Sequence, residues 1–417
     1  MKQILKTILL VTPLLFLGCG DGLDSPKNET FKGGELFVNF SGAAIKPGLV
    51  KAGAVEANGT VYGYKAFKIP YTTRDEEGNE VKVSGLFVIP TGLPDIVNTT
   101  LGLSMVADDH GTIFANAEAP TVIANSSGAP DGSAILLTSV GGFATLQPDY
   151  IGFGDSNEHY HPFILKDSLA NATVDFIKQV KVFAKDNDIK LNNQLFLTGY
   201  SEGGYASMAT LKKIEEEQLT DLTVTMAAPM AGPYAVKLMA DGVLSQPTVS
   251  VPSFMANLGY SYAKANNQEV NVLINEPYAS KLATLFNGDL DRTKIDPELT
   301  TVTTGANGLF VQSFVSNYFT QDDHWFKEAV TKNNLHAWVP TTAVRLVHCE
   351  GDDVIPYAIS QLTEGTMKAM GASDVELIPV EAILGLDSKL GHGACASPAY
   401  GVATKIFATV RKQTIGY

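Results

Sequence analysis

Ser201 stands in the run Gly199-Tyr200-Ser201-Glu202-Gly203, directly after the strand-like Leu195-Phe196-Leu197-Thr198 and directly before a helical pattern that starts near Tyr205. A serine on a sharp strand-to-helix turn is held in strained backbone angles with its hydroxyl in open space, and flanking glycines let strand and helix approach closely. The helix N-terminus beneath it presents N–H groups that can stabilise negative charge on a tetrahedral intermediate. A hydroxyl needs a base to become a nucleophile, and the base needs an acid to orient it. Downstream, Leu346-Val347-His348-Cys349-Glu350-Gly351-Asp352-Asp353-Val354-Ile355-Pro356 reads as a strand running into an acidic loop, and Leu390-Gly391-His392-Gly393 as a histidine in a glycine-flanked loop. His392, in its glycine-flanked loop, is a candidate base and Asp352 or the adjacent Asp353 a candidate acid; His110, His159, His161, His324, His336 and His348 all precede the acid. Serine, acid and histidine in that order can carry acyl transfer through a covalent intermediate without a cofactor or a metal.

These side chains need a rigid frame. From Tyr62 to Pro90 two β-rich runs flank the polar turn Asp75 to Asn79, which reads as an antiparallel hairpin. Short apolar runs then alternate with helical patterns: Leu101 to Val106, Phe143 to Gln147, Gln194 to Thr198, Leu222 to Ala227, Ala343 to His348 and Val375 to Pro379. Such alternation predicts an α/β protein with a mostly parallel sheet and helices on both faces. Ser168 to Asn187 and Tyr205 to Gln218 have helical spacing. The alternation stops after Met230 and resumes near Thr342, a gap far longer than a crossover needs. The surplus, 234–340, reads as a largely helical cap or lid inserted into a body formed by 35–233 and 341–417. Its stretches Ser253 to Asn266 and Gly308 to Phe319 look helical, and Phe254, Met255, Leu258, Tyr260 and Tyr262 either line an acyl pocket or pack the cap onto the body.

The composition of the 417 residues is that of a folded globular chain, with 45% hydrophobic and 18% charged residues. A formal net charge of −14 repels phosphate backbones and argues against a nucleic-acid partner. Lys2 and Lys6 precede the apolar run Ile8 to Leu17, which has the length of a signal-peptide core and is too short to span a bilayer. The following Leu17-Gly18-Cys19 looks like a bacterial lipoprotein cleavage box, which implies a leader at 1–18, a lipidated Cys19 and a flexible tether at 19–34. The chain is then exported and membrane-anchored at the bacterial cell envelope, or otherwise periplasmic or secreted. Cys349 and Cys395 remain, in a compartment where disulfides persist, and are expected to pair.

Together GYSEGG, HCEGDDVIP and LGHG resemble the α/β-hydrolase superfamily over roughly Gly63 to Arg411. The run Gln147-Pro148-Asp149-Tyr150-Ile151-Gly152-Phe153-Gly154-Asp155-Ser156, followed by His161-Pro162-Phe163, is similar to the bacterial and fungal secretory lipases and esterases within it. The resemblance implies the α/β-hydrolase fold with a helical lid and a serine carboxylic-ester hydrolase acting on an acyl ester or lipid. It implies the chain order serine, acid, histidine, which the earlier histidines break, and Ser201, Asp352 and His392 as the triad, Asp352 being preferred for its spacing to Pro356. The backbone N–H of Glu202 is an oxyanion donor by the geometry of the turn, and that of Thr112, after Asp109-His110-Gly111, by analogy. That group often carries glutamine or glycine where this chain has Glu202, which leaves substrate preference open. A serine peptidase of the same fold, aminopeptidase-like, is the alternative, and a binding lipoprotein on an inactive scaffold a remote one. Asn287, Asp289, Asp291 and Glu298 have the spacing of a calcium loop, but Arg292 occupies the place where that loop needs glycine, so no metal is expected. Glu158-His159-Tyr160-His161 reads as a packed loop for want of a third ligand.

Overall fold

The computed structural model describes residues 30–417, so the leader, Cys19 and most of the tether read at 19–34 lie outside the described residues. Phe31, at the end of that tether, packs edge-on against Phe67 at 4.7 Å. The last few residues before the first strand are thus attached to the body.

Nine strands form one sheet among the described residues: β1 Glu35–Phe40, β2 Gly63–Arg74, β3 Glu80–Thr91, β4 Leu103–Asp109, β5 Ala144–Pro148, β6 Leu191–Tyr200, β7 Val224–Met230, β8 Val344–His348 and β9 Val375–Pro379. Their order is β1-β2-β3-β5-β4-β6-β7-β8-β9. The pairs β1–β2, β2–β3 and β3–β5 are antiparallel, and every pair from β5–β4 to β8–β9 is parallel. The hairpin turns where its polar residues predict: Asn79 N–H donates to Asp75 Oδ1, and Gly78 takes the positive φ of 84° that the turn requires.

Side chains alternate between two clusters along each central strand, as a period-two backbone buried on both faces demands. Leu195 and Leu197 of β6 enter the cluster that holds the helices Lys166–Asp186 and Glu202–Glu216, while Phe196 between them faces Phe143 and Phe407. Phe407 belongs to the long helix His392–Ile415 on the opposite face. That helix corrects one expectation: His392 opens a helix rather than sitting in a loop, because Gly391 serves as its extended N-cap and Gly393 lies in its first turn. The edge strand β1 and the helix Gly42–Lys51 were also not foreseen. The helix starts at Ser41, whose side chain accepts from Ala44 N–H.

Between β7 and β8 the chain leaves the sheet and forms the helices Val236–Ser245, Pro252–Ala265, Gln312–Thr320 and Trp325–Lys332, joined by short helical turns and two isolated β-bridges. The C-terminal ends of β4, β6, β7 and β8 meet along one rim of the sheet, and the candidate residues lie there.

Candidate active site

Ser201 links β6 to the helix Glu202–Glu216 with φ 61° and ψ −119°, a region a non-glycine residue enters only under constraint. The constraint is close backbone packing. A Cβ at Gly203 would lie 1.8 Å from the Asp109 carbonyl oxygen, one at Gly204 2.2 Å from that of Met230, and one at Gly199 2.4 Å from that of Gly203. The Ser201 N–H is tied to the Met230 carbonyl at 2.9 Å, so the turn is clamped between β4 and β7.

The Ser201 hydroxyl lies 2.9 Å from His392 Nε2, and His392 Nδ1 lies 2.7 Å from Asp352 Oδ2. The other carboxylate oxygen, Oδ1, accepts the N–H groups of Val354 at 2.9 Å and Ile355 at 2.8 Å. His348 adds its Nε2 at 3.1 Å from Oδ2, and its Nδ1 is 2.8 Å from the Ser360 hydroxyl. Burial alone would raise the Asp352 carboxyl, yet the hydrogen bonds from His348 and His392 and the nearby N–H groups hold it well below the usual carboxylate range. Asp353, the competing acid, does something different: its Oδ1 accepts the His392 backbone N–H at 2.8 Å and satisfies an otherwise open helix terminus.

Two further devices join the acid loop to the histidine. Cys349 and Cys395 are bridged, each fully buried. Glu381, also buried, accepts N–H groups from Glu350 and from Leu390, the latter at 3.0 Å.

On the other side of Ser201, β4 ends at Asp109 and the chain passes through His110, Gly111 and Thr112. A Cβ at Gly111 would lie 3.0 Å from the Tyr200 carbonyl and 3.8 Å from Ser201 Cβ, so this segment presses against the turn. Among the described residues no acceptor pairs with the N–H of Glu202 or of Thr112. Phe114, two residues further on, stacks with Phe254 at 5.9 Å and Phe286 at 5.7 Å, both from the segment between β7 and β8. Phe254 also approaches Phe163 at 6.4 Å. Tyr262, by contrast, is fully buried and donates to the Ile164 carbonyl, which is a packing role.

The nine-stranded mixed sheet and the helices around it recur in solved structures. A candidate hydrolase of Legionella pneumophila superposes with a TM-score of 0.78 at 22% identity, over 93% of this chain and 99% of its own. The rice cell wall degrading esterase LipA of Xanthomonas oryzae, in a ligand-bound form, gives 0.75 at 22% identity, over 94% of this chain and 99% of its own. The chain has the α/β-hydrolase fold. Lipase A of Candida antarctica shares this α/β-hydrolase fold more distantly, with a TM-score of 0.59 at 13% identity over 87% of this chain and 77% of its own. No protein-family model matches the chain, and no curated protein does.

The remaining candidates have ordinary surroundings. Asp291 caps the short helix Arg292–Ile295, Glu298 pairs with Lys281 at 3.0 Å, and the Asn287 side chain donates to Asp289. Among the described residues no group of three or more His, Cys, Asp or Glu is placed to hold a metal ion. His159 is half-exposed beside Glu158, whereas His161 is buried against Glu202. The sequence assigns no supporting role to His348, Glu381 or His161, and it offers Asp353 only as the alternative acid. The only local hint was the spacing of His348 and Asp352, four residues apart across the end of β8.

Proposed function

We propose that the protein is a serine carboxylic-ester hydrolase. The observation that carries this reading is the unbroken hydrogen-bonded line Ser201–His392–Asp352, with the serine on a strained turn at a helix N-terminus. The fold it shares with an esterase and a lipase supports the same class.

In this reading His392 Nε2 takes the Ser201 proton as Oγ attacks the ester carbonyl. The charge that develops on the carbonyl oxygen is met by the N–H groups of Glu202 and Thr112. Asp352 keeps the His392 Nδ1 protonated and stabilises the imidazolium, and His348 shares the load on the same carboxylate oxygen. The proton then passes from Nε2 to the leaving alcohol. Water, deprotonated by the same nitrogen, attacks the acyl-enzyme and releases the acid and free Ser201.

The body at 35–233 and 341–417 carries this chemistry, and 234–340 acts as a cap whose Phe254 and Phe286 close over Phe114 on the acyl side. The leader and a lipid anchor on Cys19, which rest on sequence, would hold the enzyme at the bacterial cell envelope. Among the described residues no helix is long and apolar enough to cross a membrane.

The test is a series of p-nitrophenyl esters of rising chain length beside a panel of aminoacyl anilides, with Ser201→Ala as control. Ester turnover that disappears in Ser201→Ala is the expected result. Anilide turnover without ester turnover would replace this reading with a peptidase.

A further inference from the structure

Glu202 sends its two halves to different places. Its N–H is the donor assigned above to the oxyanion, while its side chain turns inward, with the residue only 1% exposed, and sets Oε1 2.8 Å from His161 Nε2. The other ring nitrogen of His161, Nδ1, lies 2.9 Å from the Ile151 carbonyl oxygen. A carbonyl only accepts, so Nδ1 carries a proton. One further proton lies on the line between Nε2 and Oε1, and on whichever atom it sits the pair has no net charge. A carboxylate can therefore be buried directly behind the nucleophile without leaving an unpaired charge there.

The pair also continues outward. The Tyr150 ring stacks with His161 at 5.9 Å and approaches His110 at 4.2 Å, and the Tyr150 hydroxyl donates to the His110 carbonyl at 3.3 Å. His110 Nδ1 in turn lies 2.8 Å from the carbonyl of Gly111, the residue before Thr112. Glu202, His161, Tyr150, His110 and Gly111 thus form a continuous bridge of contacts between the two segments assigned to hold the oxyanion.

We propose that Glu202 and His161 are a positioning couple that sets the separation of the two oxyanion donors. This rests on the reading of Ser201 as a nucleophile. The couple gives the buried carboxylate a role: the loop at 149–163 is fastened to the turn through this side chain. The donors act on charge that exists in the transition state and hardly in the bound ester, so displacing them lowers kcat and leaves KM nearly unchanged.

The test compares wild type with Glu202→Gln, Glu202→Met and His161→Phe, with the melting temperature of each measured. Gln retains a hydrogen bond, because its amide can donate to an unprotonated Nε2 while Nδ1 still serves Ile151. Met and Phe retain volume and remove the bond; His161→Phe also leaves the Glu202 carboxyl without its partner and is expected to melt lower, so Glu202→Met is the variant that keeps the fold testable. The readouts are kcat and KM on a p-nitrophenyl ester, and the rate at which a fluorophosphonate labels Ser201. Deleting an oxyanion donor outright costs about 100- to 1,000-fold, so displacing one is expected to cost about 30- to 100-fold in kcat and in labelling rate. Glu202→Gln should recover to within about threefold of wild type, and KM should move less than about threefold throughout. Equal kcat in all four proteins, losses confined to KM, or equal losses in Gln and Met would overturn the couple. If wild type labels at Ser201 but turns over no ester, the labelling rates still decide the couple, and only the substrate class falls. No labelling of wild type overturns both.

Discussion

On the Ser201 side of the site, backbone packed on backbone sets the geometry; on the His392 side, side chains and a covalent bridge do so. Around the turn, three glycines each bring a carbonyl oxygen within 2.4 Å of where a Cβ would be. That contact leaves no slack. Around the histidine, Asp352 holds the ring, Asp353 holds the backbone N–H, Glu381 fastens Leu390, and Cys395 is bridged to Cys349. These supports overlap, so losing one leaves the others in place. One side should therefore be intolerant of a single methyl group, and the other should tolerate stepwise dismantling.

The sharpest way to break this contrast is Gly203→Ala. The added methyl must displace the end of β4, a backbone shift that costs about 3 kcal/mol or more and moves the Thr112 segment with it. Denaturant unfolding should show that loss, and ester turnover should fall below detection. A stable, active Gly203→Ala protein would sink the account of the turn. Next in size is the paired Cys349→Ser and Cys395→Ser variant. The bridge spans a sequence separation of 46, for which the chain-entropy limit is about 4 kcal/mol. Unfolding midpoints should drop accordingly, yet activity at low temperature should fall by less than about tenfold, because Asp352, Asp353 and Glu381 still position His392. Smaller again is Asp353→Ala, which opens one N–H at a helix start and should cost about 1 kcal/mol and a few-fold in kcat. A loss as large as that of His392→Ala would mean that Asp353, not Asp352, does the acid's work.

The same contrast governs what could be read from the sequence. Ser201, Asp352 and His392 stand out in the sequence because each sits in a local pattern, a glycine-bounded turn, an acidic loop after an apolar strand and a histidine between glycines, and the structure places the three within hydrogen-bond distance in a line. The parallel sheet was legible from alternating apolar runs, with boundaries off by a few residues, as at Leu191–Tyr200. His348, Glu381 and His161 were not legible, because each role depends on a register between distant segments. Glu381 matters only because β9 delivers it beneath both Glu350 and Leu390. The start of the C-terminal helix was misread for a related reason: Gly391 and Gly393 suggest a loop by composition, but Asp353 arrives from elsewhere to satisfy the first N–H.

The remaining prediction tests the comparison through pH. On the Ser201 side, Asp108 at the end of β4 is wholly buried, and burial together with the Asp131 charge pushes its carboxyl up to about 7, against the lowering effect of donors on Ser133, Tyr400 and Gln147. Burial likewise raises Asp149 at the end of β5 to about 6. A carboxyl whose folded value lies above its unfolded value, near 4, binds protons more tightly in the native state. Its contribution is present in full below the unfolded value, shrinks as pH rises above about 4 and is gone once pH passes the folded values of about 6 and 7. Asp352 on the other side is held low, so its contribution is present above the unfolded value and is lost as pH falls through the acid range. The two sides therefore pull in opposite directions, and these three groups together place the maximum of the melting temperature near about pH 4, with a decline toward neutrality as well as toward acid. Asp108→Asn should flatten the decline toward neutrality and leave the acid limb unchanged, whereas Asp352→Asn should do the reverse. A wild-type melting temperature that rises steadily from about pH 5 to 8 would show that the Asp108 and Asp149 carboxyls are ionised at little cost, and that the two sides differ in backbone packing alone.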